Sequence, residues 1–216
     1  VRSLADLDVQ GKRVLVRVDF NVPLRDGKIT DDTRIRAALP TIEELRTRGA
    51  RIILVSHLGR PKGVDPSLSL RPVAERLAEL TGASVVAADD VVGESARACV
   101  EALAPGEILL LENIRFEVGE TKNDPELARE LADLCDVYVN DAFGSAHRAH
   151  ASTEGITHHV KERAAGLLLE REVSQLNAIL ADPARPLVAV LGGSKVTDKI
   201  AVIERFLDIA DTLLIR

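Results

Sequence analysis

The sequence predicts an α/β fold built on a doubly wound parallel sheet. Three observations predict it. Apolar runs of strand length recur along the 216 residues. The runs are near-continuous rather than alternating, as in strands covered on both faces. Segments with helical spacing lie between them, and strand–helix alternation with right-handed crossovers builds a parallel sheet with helices on both sides.

The first strand is RVLVRVDF, residues 13–20. A turn follows at Pro23, and DTRIRAALPTIEELRTRG then places Ile35, Leu39, Ile42 and Leu45 on one helical face, with Gly49 just past the end. Pro40 is expected to kink or split this helix, because it removes an amide from the ladder. RIILVSH, 51–57, is the second strand. SLRPVAERLAELTG is a helix with Ser69 as N-cap candidate and Gly82 as stop. ASVVAA, 83–88, and EILLLEN, 107–113, flank a third helix, ESARACVEAL. DPELARELADLCD opens on Asp124 as cap and Pro125 at the first helical position. DVYVND, 136–141, is the fifth strand. KERAAGLLLEREVSQLNAILAD reads as one long connecting helix. LVAVLGG, 187–193, then TDKIAVIERFLDIA and DTLLIR form a single strand–helix–strand unit. The architecture is thus a Rossmann-like three-layer sandwich with an incomplete second domain. The expected division is a domain over 1–160, a connecting helix or hinge over 161–186, and a partial second domain over 187–216.

Composition narrows the functional classes. The chain is 46% apolar and carries a formal charge of −6, which disfavours nucleic acid and anionic membrane as partners. Aromatic residues make up 2% with no Trp, so the stacking platforms of single-strand binders are missing. Cys99 and Cys135 lie in helical patterns and read as packing thiols, with no metal or redox spacing. No long uncharged apolar run or signal peptide is seen, and a cytoplasmic protein is expected. Removal of an initiator methionine would explain a start at Val1.

Ligands of doubly wound sheets bind beyond the carboxyl ends of the strands. After the first strand come Asp19 and Asn21, with Arg34 opening the next helix. His57, Gly59 and Arg60 follow the second strand. Glu112, Asn113 and Arg115 follow the fourth. Asn140, Asp141, His147, Arg148 and His150 follow the fifth. Four strand ends each deliver an arginine, the side chain suited to bidentate binding of phosphate or carboxylate. Asp19 and Asn21 then bind hydroxyls or orient the arginines. The expectation is a pocket for a small, hydroxylated, multiply anionic ligand.

The histidines of VNDAFGSAHRAHAS invite other readings. His147 and His150 could share a helix face, but only Asp141 is near as a third ligand and no HExxH pattern exists, so no metal is expected. Ser145 and His147 do not form a nucleophile elbow. His150 is expected to staple its loop. In LGGSKVTDK, 191–199, a glycine turn feeds a helix N-terminus, a natural phosphate cradle that lacks the Walker A pattern.

RVDFNVPL, SHLGRPKG, LLENIRFEVGETKND, VNDAFGSAHRAHAS and LGGSKVTDKI, in this order, resemble the signature segments of the phosphoglycerate kinase family. The resemblance spans essentially the whole chain. It implies reversible phosphoryl transfer from 1,3-bisphosphoglycerate to Mg-ADP, giving 3-phosphoglycerate and Mg-ATP, with magnesium carried by the nucleotide. It implies a 3-phosphoglycerate pocket of Asp19, Asn21, Arg34, His57, Arg60, Arg115 and Arg148. Arg34 and Lys195 would stabilise the group in transfer, and Lys195 and Lys199 would contact nucleotide phosphates. The intact enzyme is expected to be a monomer whose two domains close by a hinge. The family's second domain is only begun here. Two functional readings follow: a truncated part of a chain whose intact form is the kinase, or a non-catalytic 3-phosphoglycerate-binding half. The open edge of the strand Thr212–Ile215 leaves association with another chain as a third outcome.

Overall fold

The computed structural model describes residues 2–193 and 200–215. The chain forms two compact units, residues 1–170 and 171–216. The first unit holds six parallel strands: β1 (Arg13–Arg17), β4 (Arg51–Val55), β5 (Val85–Ala87), β6 (Ile108–Leu110), β7 (Val137–Asn140) and β8 (Glu162–Ala165). Their spatial order is β5-β6-β4-β1-β7-β8. From β1 the chain builds outward on one side through β4, β5 and β6. It then returns to lay β7 and β8 on the other, so the direction of winding reverses beside β1.

Helices α1 (Thr33–Thr47) and α2 (Arg71–Thr81) cover one face, and α3 (Glu94–Ala102) and α4 (Pro125–Asp133) the other. The period-2 alternation of a strand explains how one apolar run serves both faces. Val14 and Val16 pack with Ile35, Ile42, Leu45 and Val73, whereas Leu15 packs with Val100, Leu127, Leu131 and Tyr138. Such buried aliphatic side chains stabilise by about 1.5–3 kcal/mol each relative to exposure, and both faces use them.

Several local expectations meet the structure directly. Asp124 accepts from the amides of Glu126 and Leu127 at 3.0 Å each, capping α4 ahead of Pro125. The turn after Pro23 is a hairpin of β2 (Leu24–Arg25) and β3 (Lys28–Ile29), with Asp26 and Gly27 both at positive φ, as this two-residue connection requires. Of the two cysteines read as buried packing thiols, Cys135 is buried, whereas Cys99 is only half-buried.

Three expectations need correction. α1 runs through Pro40 without a break. Pro40 is exposed, and so is Arg36, whose carbonyl the proline leaves without an amide. Water can satisfy that carbonyl while Ile35, Ala38, Ile42 and Leu45 hold the opposite face in the core. α2 begins at Arg71 after Leu70, so Ser69 is not its N-cap residue. The Ser69 hydroxyl donates instead to Glu112 at 2.6 Å. The stretch read as one helix from Lys161 opens with the edge strand β8, and α6 (Leu167–Ala181) starts only after Gly166. Glu162 and Arg163 are exposed, so β8 lacks the apolar run that marks the inner strands.

The second unit contains most of α6, then β9 (Val188–Leu191), α7 (Ile200–Ile209) and β10 (Thr212–Ile215). β10 pairs with β9 in parallel, as the reading of one strand–helix–strand unit expects. Val190 is 70% and Ile215 59% exposed, so this two-stranded sheet buries little on its own.

Candidate functional site

The reversal of winding beside β1 places four strand ends close together. The amide of Val18 donates to Val55 O at 3.1 Å, Asp141 to Arg17 O at 2.8 Å and Ile114 to Ser56 O at 3.0 Å, so backbone pairing continues past β1, β4, β6 and β7 into their loops. Asp19, Asn21, Arg34, His57, Gly59, Arg60, Arg115, Gly144, Ser145 and Arg148 line one cavity of about 290 Å³ at those ends. All seven residues expected to form the anion pocket are among them.

Side chains fasten the loops to each other. Buried Asn113 accepts from the Leu58 amide at 3.1 Å and donates to Leu58 O and Leu68 O at 2.8 and 2.9 Å. The same oxygen accepts from the Arg115 amide at 3.1 Å, turning the chain so that Arg115 reaches the cavity. Asn21 Oδ1 accepts from the Gly59 amide at 2.8 Å. Gly59 sits at φ +63, and a Cβ there would come within 2.9 Å of Leu68, so the turn needs glycine. The single helical turn α5 (Phe143–Ala146) bends the chain after β7, and the Arg148 amide donates to Ser145 O at 3.0 Å.

The arginines differ in how they are held. Arg34 donates to Asp19 Oδ2 at 2.5 Å. Arg115 donates to Gly59 O. Arg60 and Arg148 are exposed at the cavity, and neither guanidinium has a hydrogen-bond or ion-pair partner among the described residues. Burial lowers the pKa of Arg115, and the positive charges of Arg148, Arg17 and Arg60 lower it further against Glu120. Positive charge is therefore concentrated and under-compensated, in a chain whose net charge is −6. A bound anion would relieve that repulsion and supply acceptors to guanidinium groups that lack them.

A larger cavity of about 600 Å³ lies against Asp31, Asp32, Glu75, Arg76 and Glu79. Its arginine is already engaged, with Arg76 2.8 Å from Asp32 and 2.5 Å from Glu79. Size alone thus points away from the cationic site. Among the described residues, no cluster of His, Cys, Asp or Glu has an arrangement fit to hold a metal ion, and no helix is long and apolar enough to cross a membrane.

Behind the cavity lies a group that the strand-end reading overlooked. Arg17, in the middle of an apolar run, is 1% exposed. Its Nε donates to Ser152 Oγ at 2.8 Å, and its Nη2 lies 3.1 Å from His57 Nδ1. Ser152 donates through its hydroxyl and amide to buried Glu120 at 2.7 and 3.0 Å. The signal was available: a charge inside an otherwise continuous buried run must find partners. His147 is exposed. His150 Nδ1 lies 3.5 Å from Glu120, and its carbonyl accepts from the amides of Thr153, Glu154 and Gly155, in keeping with a stapling role. Lys195 and Lys199 lie outside the described residues.

Two buried groups set an expected pH response. Burial, with Arg17 and Arg115 beside it, pushes the His57 pKa down to about 3. The folded state thus resists a proton that the unfolded chain binds below about pH 6.5, and His57 reduces stability as pH falls through 6.5. Burial raises the Asp141 carboxyl to about 6, against the amides of Leu168 and Leu169 that donate to it. Its stabilising effect runs the other way, present in acid and lost as pH rises through 6. The two oppose each other between pH 4 and 6. Removing the first by His57→Gln should spare roughly 2 kcal/mol of the stability lost between pH 7 and pH 5. Urea unfolding at the two pH values checks this; equal losses in parent and variant would contradict it.

The comparisons with known proteins point to a single family. The family model described as phosphoglycerate kinase matches residues 4–216. A phosphoglycerate kinase of Acaryochloris marina is 59% identical over 100% of this chain, and one of Moorella thermoacetica is 60% identical over 99%. The chain covers 54% of each. Among solved structures, phosphoglycerate kinase from Coxiella burnetii superposes with a TM-score of 0.86 at 43% identity, covering 99% of this chain and 54% of its own. The Pyrococcus horikoshii OT3 phosphoglycerate kinase superposes with a TM-score of 0.90 at 36% identity, covering 100% and 55%. The chain therefore spans about half the length of the relatives it matches.

Proposed function

The chain belongs to the phosphoglycerate kinase family, and on that premise we propose that its first unit binds 3-phosphoglycerate in the arginine-lined cavity. The observation that carries this reading is the meeting of Arg60 and Arg148, both without an acceptor among the described residues, with Arg34, Arg115, His57, Asp19 and Asn21 around one cavity. The ligand has the matching groups: a phosphate and a carboxylate for the arginines, and a hydroxyl for Asp19 or Asn21.

The proposed reaction of the whole protein is reversible transfer of a phosphoryl group between 1,3-bisphosphoglycerate and Mg-ADP. The accepting carboxylate of 3-phosphoglycerate is already ionised at neutral pH, so no general base is needed. The work left to the protein is in-line positioning and neutralisation of charge on the group in transfer. Arg34 is proposed to stabilise that charge from the first unit. Lys195 is proposed to stabilise the same group, and Lys199, with Lys195, to contact nucleotide phosphates. Magnesium enters with the nucleotide as part of the substrate.

A second reading rests on the chain spanning about half of each relative: these 216 residues bind 3-phosphoglycerate without turning it over. Two measurements separate the readings. Calorimetry with 3-phosphoglycerate should give a one-to-one complex, and its absence would remove the cavity from consideration. A coupled assay with 1,3-bisphosphoglycerate and Mg-ADP then decides on turnover. Rates typical of a kinase, about 1–100 per second, would exclude the binding-only reading.

A further inference from the structure

We propose that Arg17 is a positioning residue that fixes His57 as its neutral Nε2–H tautomer, so that His57 offers the cavity a hydrogen-bond donor and not a charge. The argument is a count of protons along a buried chain. Arginine keeps its proton in proteins and has only donors. Arg17 Nη2, 3.1 Å from His57 Nδ1, can therefore only donate to it. A proton on Nδ1 would set two N–H groups against each other. Turning the ring over would place a carbon there and leave a buried N–H unpaired, which a buried donor does not tolerate cheaply. Nδ1 thus carries the lone pair, and the proton of the neutral ring sits on Nε2, across the ring from Arg17.

The other end of the chain holds the guanidinium still. Its Nε donates to Ser152 Oγ, and Nη1 donates to Val18 O. The Ser152 hydroxyl has one proton and gives it to Glu120 Oε1 at 2.7 Å, which leaves its oxygen free to accept from Arg17. Glu120 also balances the buried positive charge. Each hydrogen bond thereby sets the direction of the next, from Glu120 through Ser152 and Arg17 to His57. The charged groups acting on His57 are Arg17, Arg115, Arg148 and Asp19, and the three cations favour a neutral ring. The wall of the cavity is then one in which fixed charge comes from the arginines and His57 contributes direction.

The test uses the full chain and nitrogen-15 NMR of the histidine rings, with the His57 signals identified by their loss in His57→Gln. From pH 5 to pH 8, Nε2 should be protonated and Nδ1 bare, with no titration. A proton on Nδ1, or a titration midpoint inside this window, overturns the proposal. In Arg17→Lys one ammonium cannot serve Ser152, Val18 and His57 together. The His57 nitrogen shifts should change, and the protonation midpoint should rise into the window. A variant that merely packs less well would unfold earlier with its tautomer intact, and that result also overturns the proposal.

The role in binding rests on the reading of the cavity as a 3-phosphoglycerate site. Glutamine can place an amide N–H near the Nε2 position, and asparagine only near Nδ1. His57→Gln should hold affinity for 3-phosphoglycerate within about threefold, and His57→Asn should lose about tenfold, the scale of one hydrogen bond. Equal losses would overturn the donor role. A parent chain with the expected ring signals and no 3-phosphoglycerate affinity would leave the tautomer assignment standing and remove the ligand.

Discussion

Replacing Arg148 by alanine should weaken 3-phosphoglycerate binding by about 1.5–3 kcal/mol, roughly 10- to 150-fold in the dissociation constant. Arg60→Ala should do the same. Both side chains reach the cavity without an acceptor among the described residues, and each substitution removes a charge-assisted contact with the anion. Arg34 is a less clean test, because its removal also frees Asp19, a carboxylate beside the anion. His147→Ala, next to Arg148 in the chain and exposed, should leave affinity nearly unchanged. Calorimetry across the set decides the matter. Unchanged affinity in both arginine variants would refute the assignment of the cavity.

Glu120→Ala should lower folding stability by about 3–5 kcal/mol, the largest effect expected of any single change at the buried network. Glu120 is fully buried and accepts from both the amide and hydroxyl of Ser152. Its loss leaves the buried Arg17 charge without its main counter-charge and removes the acceptor that orients Ser152. Glu120→Gln keeps an oxygen acceptor and most of the volume and should cost less. An exposed carboxylate is the control: Glu126 pairs with Arg129 at 3.0 Å on the surface of α4, and Glu126→Gln should change stability by less than about 1 kcal/mol. Urea unfolding followed by circular dichroism measures all three. A Glu120→Ala midpoint close to that of the control would show that Arg17 finds other compensation.

Much of this arrangement was legible in the chain because a parallel sheet buries its inner strands on both faces. RVLVR, RIILV and VYVN announce themselves as strands, and the residues after them announce the site. The chemistry of Arg34, Arg60, Arg115 and Arg148 follows from their shared position after strand ends, without any knowledge of distances. β8 escaped because Glu162 and Arg163 face solvent at a sheet edge, where no apolar run is required. Arg17 escaped for the opposite reason. Its run looked apolar enough to be a strand, and nothing local says that Ser152 and Glu120, distant in sequence, come together around it. Sequence spacing reveals which strand end a side chain leaves from, but not which buried group stands behind it.

The Asn113 clasp has a thermodynamic consequence. Because Asn113 and Asn21 already tie the loops after β4, β6 and β1 together, a ligand entering the cavity finds those backbone segments ordered. Ordering one residue costs about 1–2 kcal/mol, and a site spared that cost can convert more of each contact into affinity. Replacing Asn113 would shift part of the folding entropy of these loops onto the binding step. The pocket would then keep every group that touches the anion and still hold it more weakly.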